Sequence, residues 1–349
     1  MIISEWNQSS QEKNEILNLA LKAFGECELT NPDYFDWQYQ NNPNGEAVII
    51  TVKDPKKNNA IIGVNAFLPM TLINNQKEIQ CYLSCNSIVD PNYRGKGIFT
   101  QLLSQIPEIF SKKDSSTIYG IPNKNSSFIF SKNHFLEISK LSLLVKPLNL
   151  SSYFGFPISQ ILKPFDFFWK PPSPLSSNIE IVKNEITDDF DELIKKTTDR
   201  LGVCHFRNSG FIKWRFLNHP TRQYSILTLK NNSKLIAYVI TREMNVFSQN
   251  LGVIIDFLTD PSFNDETIFQ QLINAALANF WKNGISLVIS SSNCGTLENE
   301  ILQKSGFKTA PSFFKQEQLP LIISTFSNDF ENLNNFDEWY FTLGDYDVF

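Results

Sequence analysis

The sequence predicts an α+β protein built from two copies of one domain, each a mixed, mostly antiparallel sheet flanked by helices. Three observations lead there. The segment NSIVDPNYRGKGIFTQLL at 86–103 returns 170 residues later as DFLTDPSFNDETIFQQLI at 256–273, with six of 18 positions identical. A second segment, WQYQNNPNGEAVIITVK at 37–53, returns as WRFLNHPTRQYSILTLK at 214–230, with six of 17 identical. Within each copy, strand-like and helix-like runs are interspersed, so both kinds of element share one core. A period this long exceeds the ~20–50 residues of solenoid repeats and marks a whole domain.

The elements follow in the same order in both copies. Helical stretches at 11–24 and 189–200 come first, then a short helix carrying Trp37 or Trp214. Because both tryptophans occur whatever the neighbouring loop, they read as core. Strand pairs follow at 47–53 with 61–69 and at 223–230 with 234–242, each separated by an Asn- and Lys-rich turn. The next strand, 82–89 or 253–259, is closed by Asp90-Pro91 or Asp260-Pro261, because proline cannot continue a hydrogen-bond ladder. Helices at 97–110 and 267–281 have apolar residues at helical spacing. Strands at 117–121 and 286–290 lead through Asn-Ser loops to a last helix, ending in KNHF at 132–135 or KSGF at 304–307. The division expected is a first domain at 1–147, a Pro- and aromatic-rich linker or lid at 148–178, a second domain at 179–325 and a tail at 326–349.

Composition narrows the function. With 349 residues and 42% hydrophobic content, the chain supports about two ordinary cores. A net charge of −5 argues against non-specific nucleic-acid binding and leaves any anion site local. No basic, apolar leader and no run of ~20 apolar residues is seen, so no stable membrane insertion is expected and a cytoplasmic location is. Cys27, Cys81, Cys85, Cys204 and Cys294 lack metal-finger spacing, and the three histidines are scattered; neither a disulfide framework nor a metal is expected. Cys81 and Cys85 share one strand face and read as small core residues. The linker's aromatics suit either packing or a membrane surface.

The two copies differ most in one loop. Arg94-Gly95-Lys96-Gly97 in the first becomes Asn264-Asp265-Glu266-Thr267 in the second. Glycines let several N–H groups turn toward one point, and the helix behind adds orphan donors, so the first loop suits an anion. The second would repel one. A Walker loop needs Ser or Thr after its lysine, and a dinucleotide fingerprint needs a third glycine where Thr100 stands, so neither fits.

The run Ile88-Val89-Asp90-Pro91-x-x-Arg94-Gly95-Lys96-Gly97-Ile98 resembles motif A of the GCN5-related N-acetyltransferases, Arg/Gln-x-x-Gly-x-Gly/Ala. Arg94 and Gly97 match, while Phe99 replaces the last small residue. The resemblance covers 1–147 well and 179–325 weakly, and it is to tandem members linked to surface-sugar modification. It implies that Arg94, Gly95, Lys96, Gly97, Ile98 and Phe99 cradle the pyrophosphate of acetyl-CoA or another acyl-CoA. It also implies that a V-shaped splay beside the 82–89 strand takes the pantetheine arm. Main-chain N–H groups at Ile88 and Val89 would face the thioester carbonyl, and Asn123 or Asn125 would meet the pantetheine. The second copy would hold no coenzyme A.

The catalytic groups are less marked. The family's tyrosine acid, in Tyr-x-Lys-x-Gly-Phe, is replaced by Phe130, and its glycine by His134. A thiol pKa near ~8.5 still makes thiolate a fair leaving group. Ser84 and Asn86, at alternate strand positions, would face one side and order a water, and Tyr119 would project into the splay. Asp90 reads as a turn former and His134 as a surface residue before either reads as a base. Glu28 and Asp33 lie where the family meets its acceptor, and the tail DEWYFTLGDYDVF offers to fold back onto that site. The function expected is N-acylation of a small-molecule amine, with a nucleotide-linked amino sugar as the guess from family likeness. Alternatives are a coenzyme A-binding sensor that has lost its chemistry, and an aminoacyl transferase, against which the acidic charge and the intact loop argue.

Overall fold

The computed structural model describes all residues except 114–116, 150, 152–156, 173–178, 183–184, 247–248, 264–265, 294–295, 311–318, 327–331 and 348–349. Cys294, the second loop's Asn264 and Asp265, much of the linker and the last two tail residues therefore lie outside the described residues.

The first half of the chain runs β1 (Ile2–Glu5), α1 (Ser10–Phe24), α2 (Pro32–Tyr39), β2 (Val48–Asp54), β3 (Ala60–Asn74), β4 (Lys77–Val89), α3 (Ile98–Ser104), α4 (Ile106–Phe110), β5 (Thr117–Gly120), α5 (Lys124–Ser131) and β6 (Leu136–Leu141). Then come β7 (Leu144–Pro147), α6 (Ile158–Leu162), β8 (Ile179–Val182), α7 (Asp189–Leu201), β9 (Val203–His205) and α8 (Ser209–Ile212). The chain continues with β10 (Ser225–Asn231), β11 (Lys234–Val246), β12 (Gln249–Thr259), α9 (Glu266–Lys282), β13 (Leu287–Ser290), α10 (Leu297–Lys304) and β14 (Lys308–Thr309). It closes with β15 (Leu319–Thr325) and β16 (Trp339–Tyr340).

Local chemistry sets the boundaries. Ser9 caps α1 through the Glu12 N–H, and Gly25, at φ +75°, ends it. Asn31 caps α2, with Pro32 at its first position. The two-residue turn between β10 and β11 carries paired positive φ values at Asn232-Ser233, the conformation of a tight hairpin, while Asn58-Asn59 take similar values after a helical turn at Pro55–Lys57 between β2 and β3. The helix expected at 97–110 is two helices, because Pro107 starts a new one and supplies no N–H.

Two compact units result. One comprises Met1–Lys140, Asn218–Arg222 and Leu319–Phe336; the other comprises Leu141–Leu217, Gln223–Gln318 and Asp337–Phe349. The first sheet has the order β1-β2-β3-β4-β5-β15-β6, the second β14-β7-β13-β12-β11-β10-β8. Among the described pairings along these orders, β4 with β5 and β12 with β13 run parallel. The units thus differ from division at 147 and 179: β7 joins the second sheet between β13 and β14, and β15 joins the first between β5 and β6. Equivalent strands of the two copies are exchanged.

The first core lies between this sheet and α3–α4, with Ile98, Leu102, Ile106 and Phe110 packed on Ile50, Val52, Phe67, Ile118 and the exchanged Ile322. Burying side chains of this size contributes roughly 1.5–3 kcal/mol each. Gly63 marks the closest approach of α3, since a Cβ there would lie 2.6 Å from Ile98 Cγ2. Trp37 and Trp214 are buried, as core residues should be.

Candidate active site

In the first unit, β4 and β5 pair only from Cys81↔Thr117 to Ser84↔Gly120. β4 then runs on to Val89 with β3 as its only strand partner among the described residues, so the strands part and one edge of 85–89 faces the gap. Ile88 and Val89 lie on that free stretch, paired with Val64 and Gly63. Asn86 and Ser87 together stand opposite Asn65, a β-bulge that puts Asn86 at φ +49°.

The bulge corrects one expectation. Ser84 and Asn86 do not share a face, because the extra residue breaks the two-residue alternation. Ser84 Oγ lies 3.5 Å from Asn65 Nδ2, and the Ser87 hydroxyl donates to Asn65 Oδ1 at 2.8 Å. Asn86 instead donates to Gln38 Oε1 at 2.9 Å and to the Tyr39 hydroxyl at 2.8 Å. The polar groups at the bulge are therefore Asn65, Ser84 and Ser87 in one set and Asn86, Gln38 and Tyr39 in another. Gln38, Tyr39, Asn65 and Ser87 were not picked out by sequence. Tyr119 is fully buried in β5, paired across from Leu83 and Ile323.

The loop follows directly. The Asp90 N–H closes the ladder on Ile62 O at 2.9 Å. Its carboxylate accepts the Asn92 N–H at 2.9 Å and pairs with Lys22 Nζ at 2.6 Å, so Asp90 closes the turn. Burial opposes ionisation there, but the Lys22 hydrogen bond outweighs it and holds the carboxyl below its ordinary value. Tyr93 pins the turn from beneath: its hydroxyl donates to Asp54 Oδ2 at 2.5 Å, and Lys96 Nζ stands 4.8 Å from its ring centre. Gly95 and Gly97 adopt φ +76° and +75°, and a Cβ at either would meet nothing within 4 Å, so conformation rather than crowding requires glycine. Gly97 caps α3, leaving the N–H groups of Ile98, Phe99 and Thr100 ahead of the first intrahelical acceptor. Arg94 and Lys96 are exposed.

Beyond the fork, Asn123 caps α5, accepting from Asn125 N at 2.9 Å and Ser126 N at 3.1 Å. Both asparagines are exposed, on the loop that leaves the parted strand. Phe130 is buried, edge-on to Phe99 at 5.3 Å and to Phe135 at 4.9 Å. Two of the three departures from the family patterns, Phe99 and Phe130, therefore form one aromatic contact. His134 is exposed at φ +66°, where the second copy has Gly306 at +89°.

Glu28 does not offer a free carboxylate. Arg222 Nε donates to its two oxygens at 2.9 and 3.1 Å, and the Thr221 hydroxyl donates at 2.6 Å. Partial burial raises the carboxyl, but the hydrogen bonds from Arg222 and Thr221 prevail and bring it down to about 2. Asp33 stays exposed on the first turn of α2.

The second unit repeats the frame and closes the gap. β12 and β13 pair only from Leu251↔Leu287 to Val253↔Ile289, while β12 continues to Thr259 with a bulge against β11. Asp260 repeats Asp90, pairing with Lys196 Nζ at 2.8 Å and capping Ser262 N at 2.9 Å. Where the first copy has its basic loop, Glu266 opens α9 and pairs with Lys304. The tail then crosses the fork. β16 pairs parallel with β9, and the Phe341 N–H donates to Asn293 Oδ1 at 3.0 Å. The Thr342 hydroxyl donates to Asp256 Oδ1 at 2.8 Å, and Gly344 passes so close that a Cβ would lie 3.0 Å from that of Asp256. Arg207, wholly buried, donates to Asp256 at 3.0 Å and to Asp345 at 2.7 Å. By the 170-residue offset, Asp256 is the counterpart of Asn86 and Asn293 that of Asn123. The described tail thus lies against the second copy's own strands.

No protein-family model and no curated protein matches the sequence. Solved structures match the fold across nearly the whole chain. N-myristoyltransferase of Saccharomyces cerevisiae, solved with myristoyl-CoA, superposes with a TM-score of 0.62 at 13% identity, over 92% of this chain and 82% of that one. A GCN5-related N-acetyltransferase from Anabaena variabilis gives 0.64 at 14% identity, over 92% and 72%. A conserved Enterococcus faecalis protein described as a probable N-acyltransferase gives 0.62 at 11% identity, over 93% and 73%. The chain therefore shares the fold of these structures, α+β in both units.

Proposed function

We propose that this chain is an acyl-CoA-dependent N-acyltransferase with a single donor site, in its first unit. One contrast supports the reading: β4 and β5 part after Ser84 and Gly120 beside a basic, glycine-shaped loop, whereas the described tail bonds to both sides of the equivalent fork in the second unit, where Glu266 opens the helix. The neighbours named N-myristoyltransferase and N-acetyltransferase supply the reaction class.

In this reading Arg94, Lys96 and the N–H groups of 95–99 hold the donor's pyrophosphate, and Asn123 or Asn125 meets the pantetheine. Charge-assisted hydrogen bonds of this kind contribute about 1.5–3 kcal/mol each. The free edge at Ile88 and Val89 places main-chain donors where negative charge develops on the carbonyl oxygen. Phe130 carries no proton, so the sulfur leaves as thiolate. The amine loses its proton to water held by Ser84 and Ser87 with Asn65, or by Asn86 with Gln38 and Tyr39. The acyl group is acetyl and the acceptor a small amine, with a nucleotide-linked amino sugar first among those to try.

The test is thiol release and product mass with acetyl- and myristoyl-CoA against a panel of amines that includes amino-sugar nucleotides. Acylated amine forming in step with free thiol supports the reading. Donor binding without turnover on any amine supports a coenzyme A sensor instead, the reading that buried Phe130 favours. No donor binding overturns both.

A further inference from the structure

The segment between the two copies carries a surface that the acyltransferase reading leaves unused. Helix α6 runs straight into a tight helical turn at Lys163–Trp169. Along these residues Ile158, Ile161, Phe165, Phe167, Phe168 and Trp169 expose 50, 66, 53, 71, 79 and 37% of their surface. Such a concentration of large apolar groups marks a contact surface, unlike a lone exposed leucine.

The charges beside them are arranged with one sign outward. Asp166 is the segment's sole acid, and it is buried: it accepts the Ser151 N–H at 3.0 Å and the Ser151 hydroxyl at 2.6 Å. That turns its carboxylate inward and anchors the turn. Lys163 and Lys170, one at each end of the aromatic run, are exposed and form no ion pair among the described residues. The outer face is therefore aromatic and cationic, on a chain whose net charge is −5.

We propose that residues 158–170 dock the protein peripherally on an anionic lipid surface. Aromatic and aliphatic side chains enter the headgroup–acyl boundary while the lysines meet lipid phosphates, the pattern of interfacial segments. No helix among the described residues is long and apolar enough to cross a bilayer, so the attachment is to one leaflet. A second copy is a poorer occupant. It would set Lys163 and Lys170 against their own likes, with Asp166 of both copies turned away.

The test uses the full-length protein with phosphatidylcholine vesicles, with and without phosphatidylglycerol, and no acyl donor. We expect co-sedimentation with the anionic vesicles that weakens with salt, as screening within about 8 Å requires. Phe167→Ser with Phe168→Ser should lower partitioning at least about tenfold. Lys163→Gln with Lys170→Gln should remove the salt dependence. Brominated lipid should quench the fluorescence that Trp169→Phe removes. These side chains are exposed, and unchanged near-ultraviolet dichroism would show that the variants fold. Absence of vesicle binding at low salt overturns the proposal, as does binding that Phe167→Ser with Phe168→Ser leaves intact. Self-association without lipid that the same variant abolishes assigns the face to a second copy and overturns it too. Since no donor is present, failure here leaves the acyltransferase reading standing, and loss of that reading leaves this one.

Discussion

Asn293 accepts the main-chain N–H of Phe341 at 3.0 Å, whereas its counterpart Asn123 accepts the Asn125 N–H at 2.9 Å and caps α5. The second fork is thereby filled by the protein's own backbone. Asn293→Ala should strand a buried N–H and lower stability by about 1–3 kcal/mol, read by chemical denaturation. Donor affinity should not change. A new coenzyme A site appearing in that variant would show that the tail excludes a ligand; the acidic loop argues for none.

Arg207 joins the tail to β12 through two carboxylates. Burial pushes both Asp256 and Asp345 up, with the Arg207 charge acting against it. Arg207→Met leaves two acids facing each other without a counter-charge and should cost about 3–5 kcal/mol. Replacing Asp256 and Asp345 by Asn in the same chain should recover part of that loss. Thermal unfolding of the single and triple variants measures both effects.

Glu28 makes acid stability testable. Its folded value of about 2 lies below its ordinary 4.5, so the charged form is favoured in the folded state. The stabilisation is complete above pH 4.5 and is lost as pH falls toward 2. Glu28→Gln should flatten that part of the stability profile and lower stability at neutral pH. Since a third of the carboxylate side chain is exposed, the difference should shrink with salt.

The loop predicts a kinetic signature. Lys96→Glu gives the first copy the sign of Glu266 and should raise donor KM about tenfold to a hundredfold, the equivalent of 1.5–3 kcal/mol. Turnover at saturating donor should fall far less. Gly97→Ala forces a side chain into φ +75° at roughly 1–2 kcal/mol, and should raise KM without adding a clash.

Much of the frame was legible because it is written twice. The repeat located the strand runs, the Asp-Pro strand ends and the asparagine-rich turns, since each depends on nearby residues, while the splay beside 82–89 came from the family resemblance alone. The bulge was not legible. One added residue at 86–87 reverses which side Asn86 faces, and nothing in NSIV announces it. Glu28 could not be matched to Arg222 across 194 positions. Nor do LVKP and LPLIIST say which of two similar sheets each will join.

That last ambiguity has a consequence for how such a chain can evolve. Because β7 and β15 are traded, each sheet is completed by sequence encoded in the opposite half of the reading frame. Fission at the repeat boundary would release two halves, each carrying a strand cut for the other and missing its own. The second half cannot be shed as a relic while the first half draws its sixth strand from it, which gives selection a structural reason to keep both.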